Sequence, residues 1–150
     1  MNRPFVAGTL VAITISTAGA AEGPPRLESE QIELGRKVYG QYCATCHGSR
    51  GEGAANWQEQ NDQGELPPPP HGPEGHTWRH ADAALYHTIA KGWRDPFNKT
   101  DRLTMPAFEE ILTPDEIRAV STYLKTLWTE EQRQFQWEQS EDRPFPNEQN

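Results

Sequence analysis

The run Cys43-Ala44-Thr45-Cys46-His47 constrains this chain more than any other stretch of it. Two thiols three residues apart share one helical turn, and an imidazole follows the second directly. This is the attachment signature of a c-type haem: each thiol adds across a porphyrin vinyl group, and the imidazole ligates the iron from one face. The competing readings are a thioredoxin-like redox pair, half of a zinc site and a structural disulfide. A redox pair wants a βαβ setting, whereas Gly35 to Tyr42 has helical spacing. Zinc wants four ligands, and with two cysteines the rest would have to be histidines. One haem c is therefore expected, held covalently by Cys43 and Cys46, with His47 on its iron.

Residues 1–20 read as a secretory signal peptide. Met1-Asn2-Arg3 is positively charged, Phe5 to Ile15 is short and mostly apolar, and Ala18-Gly19-Ala20 is a small-x-small cleavage site. The apolar run falls short of the roughly 20 residues that cross a bilayer, and no later segment is apolar enough to do so. An uncleaved anchor is the competing reading. Export places the chain outside the cytoplasm, in a bacterial periplasm, where both cysteines would be taken up by haem. The 130 residues that remain of 150 suit one small domain. Arg3 leaves with the leader, so 13 Lys and Arg face 22 Asp and Glu, a net charge of −9 against −8 for the whole chain. That balance argues against nucleic acid and anionic lipid as partners and suits a partner with a basic surface.

Ser29 is the expected cap of a first helix that runs to about Cys46, with Ile32, Gly35, Val38, Tyr39 and Tyr42 at helical spacing. Glycine is unfavourable in mid-helix, so another element is expected against Gly35. Residues 48–75, rich in Gly, Pro, Asn and Gln and containing Pro67 to Pro70, read as a long loop. Residues 81–91 read as a middle helix with Ala84, Leu85 and Ile89 on one face and Gly92 ending it. Residues 92–108 form a second loop. Met105, in that loop, is the one methionine beyond the leader, and a lone methionine on its own usually reads as core filler. Thr113-Pro114-Asp115-Glu116 is a capping box with Pro at the first helical position, opening a helix striped by Ile117, Val120, Tyr123, Leu124 and Leu127. Thr129 to Gln132 repeats the capping pattern, so a separate helix is expected to about Gln139, followed by a disordered tail from Ser140. Phe135 and Trp137 do not share a face of that helix; they either pack back or meet a partner.

Gly35, Tyr39, Cys43, Cys46 and His47 together give the chain a resemblance to the class I cytochromes c, extending from Glu30 to about Trp128. The resemblance implies an all-α cytochrome c-like fold in which N- and C-terminal helices cross at Gly35 and long loops wrap one covalently bound haem. With the signal peptide at 1–20, the expected divisions are a cytochrome domain, 21–128, and a helical extension with tail, 129–150, beyond the minimal family pattern. Tyr123 is implied as the aromatic facing Gly35. A carbonyl within Pro67 to Pro70 is implied as the acceptor for the Nδ1 proton of His47, without a choice among the four. Met105, followed by Pro106, is implied as the sixth ligand, opposite His47. His71, His76, His80 and His87 are expected at the surface or in loops, with His80 and His87 the competing sixth ligands. Arg79, Arg94, Lys99 and Arg102 either neutralise haem propionates or are ordinary solvated charges.

A His/Met iron has no open position for substrate, so the implied function is single-electron transfer between respiratory or dehydrogenase protein partners, by a carrier and not by an enzyme. The monomeric carrier has two rivals. One is a dedicated haem subunit of a larger redox complex, docked through residues 129–150. The other is a five-coordinate haem enzyme or gas-binding protein, against which the position of the motif near the mature N-terminus counts.

Overall fold

The computed structural model describes residues 23–146. The expected signal peptide lies outside the described residues. Five α-helices occur among them, in order α1 (Ser29–Tyr42), α2 (Ala44–His47), α3 (Asp82–Lys91), α4 (Pro114–Lys125) and α5 (Glu130–Ser140), with one 3-10 turn at Thr77–Arg79. The architecture is all-α, as expected; the one β contact among the described residues is an isolated antiparallel bridge between Trp93 and Met105.

The expected first helix differs in two places. Ser29 is its first helical residue, and the cap is Glu28, whose extended backbone starts the helix without a side-chain capping bond. The helix also breaks at Cys43, where φ opens to −108° before α2 begins. His47 thus ends a separate turn and is not a continuation of α1.

Gly35 decides how the two main helices meet. A Cβ there would lie 2.0 Å from the Ala119 carbonyl oxygen and 2.8 Å from Tyr123 Cβ, so α1 and α4 cross with backbone against backbone. Around that crossing Val38 and Tyr39 pack with Ile117, Val120 and Leu124, and Leu85, Ile89, Ala90, Leu112 and Trp128 complete the core. Burying each of the aliphatic side chains contributes about 1.5–3 kcal/mol relative to leaving it exposed. The Tyr39 and Tyr123 rings lie 5.2 Å apart beside the crossing. On α3, Ala84 turns to solvent; Ala81 and Ala90 fill the buried face with Leu85 and Ile89, because the face follows the i, i+4, i+8 row.

Both capping boxes form. Thr113 accepts from Glu116 N while the Glu116 carboxylate accepts from Thr113 N, and Thr129 and Gln132 make the same exchange. Thr113→Ala is expected to lower stability by about 1 kcal/mol. A urea titration checks this: the midpoint falls while the slope stays constant.

The extension packs back through a polar seam. Gln136 is buried, and its amide donates to the His80 carbonyl (3.2 Å), Asp82 Oδ1 (2.7 Å) and Ser140 Oγ (3.0 Å). Asp82 also pairs with Lys125 at 2.6 Å, where both side chains are largely shielded from water. Phe135 meets the edge of Trp78 at 5.6 Å but stays partly exposed. The tail departs from the expected disorder over 141–146: the Arg143 carbonyl accepts from Ala83 N (3.1 Å), and Lys125 lies 5.1 Å over the Phe145 ring. These contacts supply partners that composition alone does not reveal.

Candidate haem site

Cys43, Cys46 and His47 are delivered together by the break between α1 and α2. Both cysteines are free thiols, Cys43 half-buried and Cys46 exposed. Burial, with the neighbouring Cys46, pushes the Cys43 thiol up to about 11, so it stays protonated at neutral pH. His47 is buried, and burial holds its imidazole below the usual histidine range although the Pro69 carbonyl works against this. A neutral imidazole is the form that binds iron.

Pro69 is the member of the proline run that meets His47. Its carbonyl accepts from Nδ1 at 3.0 Å, which fixes the tautomer and leaves the Nε2 lone pair without a hydrogen bond among the described residues. Hydrogen bonds from Ala54 N to the Pro68 carbonyl (2.9 Å) and from His71 N to the Gly51 carbonyl (2.7 Å) lash the run to the segment just after His47. Gly53 makes that approach possible: its φ is +66°, and a Cβ there would lie 2.4 Å from Pro70 N. Two adjacent free thiols and an imidazole with one nitrogen committed and the other unbonded fit a covalently attached, iron-ligated haem.

His71 lies in the loop, as expected, and packs inward from it. Its ring stacks on His47 with centroids 4.2 Å apart and planes 27° from parallel, and its Nδ1 is 2.9 Å from Thr77 Oγ1. Burial first, then the neighbouring imidazoles, push it down to about 3. The sequence signal available was its place directly after Pro70. His76 stacks on Trp57, His80 meets the edge of His76, and His87 is exposed on α3.

Met105 sits on the second loop, half-buried against the core and paired through both backbone atoms with Trp93 (3.0 and 2.9 Å). Gly92 lets the loop close: its φ is +73°, and a Cβ would lie 2.6 Å from the Met105 carbonyl oxygen. The loop is locked by residues not singled out in the sequence. Buried Asp95 accepts from Leu66 N (3.1 Å) and Phe97 N (2.9 Å), and buried Asn98 donates to Glu65 (2.8 Å), which also pairs with Arg102. Turn chemistry at Asp95-Pro96 and Asn98 was the available signal. The basic residues are likewise spent on the loops and their flanks: Arg94 on the Asn98 and Thr100 carbonyls, Lys99 on the Asp62 carbonyl, and Arg79 over the Trp78 ring. No helix among the described residues is long and apolar enough to cross a membrane.

The family model described as Cytochrome c matches residues 32–128, well over half of the chain. The chain is 28% identical over 122 residues to the Cbb3-type cytochrome c oxidase subunit FixP of Sinorhizobium medicae, covering 81% of this chain and 38% of the relative. It is 30% identical over 101 residues to the dehydrogenase subunit of alcohol dehydrogenase (quinone) of Acetobacter aceti, covering 67% of this chain and 11% of the relative. The chain thus spans well under half the length of these curated relatives. Among solved structures, cytochrome cL of Methylophaga aminisulfidivorans has a TM-score of 0.48 at 23% identity, over 71% of this chain and 65% of that one. The family match runs from α1 to Trp128 and takes in both thiols, His47 and Pro69; this chain is a member of the cytochrome c family, whose covalently bound haem c its two thiols and imidazole fit.

Proposed function

We propose that this chain is an exported monohaem cytochrome that passes single electrons between protein partners in the periplasm, its iron held by His47 on one face and Met105 on the other. The observation that carries the reading is the hydrogen bond from His47 Nδ1 to the Pro69 carbonyl, which presets Nε2 as a ligand. Met105 is supported as the second ligand by its loop, which is closed at Gly92, bridged to Trp93 and pinned by Asp95 and Asn98. The haem, when bound, supplies a reversible one-electron iron couple. The residues do the rest: Cys43 and Cys46 tether the group, Pro69 holds the His47 ring, and the core formed by Val38, Tyr39, Leu85 and Leu124 excludes water beside the site. Two ligands that stay bonded in both oxidation states, with water kept away, would keep reorganisation small when charge moves.

The names of the relatives favour a second form of the same reading, a haem subunit within a larger oxidoreductase assembly. The acidic charge of the chain suits a basic docking face on either kind of partner. The test is the mass of the matured polypeptide together with optical spectra of its oxidised and reduced forms, with and without carbon monoxide. One added haem, cleavage after Ala20 and no rapid carbon monoxide uptake are expected. A mass without porphyrin overturns the reading, and rapid carbon monoxide binding overturns the sixth ligand.

A further inference from the structure

His71 is located from four sides, more than a loop side chain requires. Its backbone N–H donates to the Gly51 carbonyl at 2.7 Å, its carbonyl accepts from Trp128 Nε1 at 2.8 Å, its Nδ1 is 2.9 Å from Thr77 Oγ1, and the edge of Tyr39 lies against it with centroids 6.2 Å apart. The Thr77 partner is itself buried. All of this holds one flat ring over one face of His47, 4.2 Å away and 27° from parallel. The Pro69 bond restrains His47 at a single atom, whereas a stacked ring restrains the plane of the imidazole.

Resting on the haem-site reading above, we infer that His71 is a positioning residue: its ring fixes the orientation of the His47 imidazole plane and keeps water from that face of the ligand. The anchor runs into the C-terminal part of the chain, since Trp128 holds the His71 carbonyl and Gln132 donates to the Pro73 carbonyl at 3.0 Å. The plane of an axial imidazole sets how unpaired spin spreads over the porphyrin, so the haem methyl proton shifts of the ferric protein report it directly. Water admitted beside the ligand stabilises the more highly charged ferric site and lowers the potential.

The experiment compares parent, His71→Ala and His71→Phe holoproteins by ferric proton NMR and by redox titration. His71→Ala is expected to rearrange the haem methyl shifts and lower the potential, and His71→Phe, which keeps a flat ring, to return both towards the parent. A role confined to stability would lower the unfolding midpoint and leave the methyl pattern of both variants unmoved, which overturns the inference. Should His71→Ala yield no holoprotein, Thr77→Val decides: it keeps the ring but unpins Nδ1, and a smaller movement of the same methyl signals is expected, with an unmoved pattern overturning the inference. A parent without attached haem would overturn the site reading as well; unmoved methyl shifts in a haem-bearing variant would overturn this inference alone.

Discussion

Met105→Ala is expected to leave the haem attached while abolishing the sulfur-to-iron absorption band near the red end of the visible spectrum and lowering the reduction potential. Attachment depends on Cys43 and Cys46, which lie in the first third of the chain and do not involve the Met105 loop. The thioether, in contrast, is the group that favours ferrous iron in a His/Met pair, and axial ligands together span about 0.8 V of haem potential. Loss of the sulfur is therefore expected to shift the potential by a sizeable part of that range and to open the iron to carbon monoxide. The backbone of the loop should persist, because its ties run through Trp93, Asp95 and Asn98 and not through the methionine side chain. Redox titration and carbon monoxide difference spectra measure both effects. An unchanged spectrum and potential would assign the position opposite His47 to a histidine or to water.

Gly35→Ala is expected to be the most destabilising single methyl that can be added to α1. The new Cβ would sit 2.0 Å from the carbonyl oxygen of Ala119, a backbone atom that cannot swing aside, so the two helices must separate. Separation loosens the packing of Val38 and Tyr39 on Ile117 and Val120. Overpacking of this kind costs about 3 kcal/mol or more, a large part of the roughly 5–15 kcal/mol by which a domain of this size is stable. Gly40, five residues on in the same helix, provides the control. Nothing lies within 4 Å of a Cβ there, so Gly40→Ala should raise stability by up to about 1 kcal/mol through helix propensity alone. Paired urea titrations of the holoproteins read both, and two variants of the same sign would place the crossing elsewhere. α1 leads directly into Cys43, so the loosened variant should also mature less haem per chain.

Much of this was legible because its signals are local. The cap pairs Thr113–Glu116 and Thr129–Gln132 each satisfy their own donors across three residues, so the sequence window contains the whole interaction. Gly35 is legible for a related reason: a residue unfavourable in a helix implies something close against it. Ser29 and the continuity of the first helix through Cys43 were misread, since several residues could serve as the cap and since the break at Cys43 carries no residue-type signal of its own. The tail was misread over 141–146 because composition speaks for solubility and is silent about one backbone hydrogen bond and one cation over a ring.

Unaided, the order of residues determined that the chain carries haem c, where its helices α3, α4 and α5 begin or end, and that something packs closely against α1 at Gly35, because each follows from chemistry contained within a turn or two of backbone. Only the tertiary structure decided that Pro69 and not its three neighbours holds His47, that His71 lies on the imidazole of His47, and that α5 docks through buried Gln136. Those choices rest on contacts between residues 22 to 57 positions apart. Residues equivalent in type are separated only by the direction in which the folded chain points them.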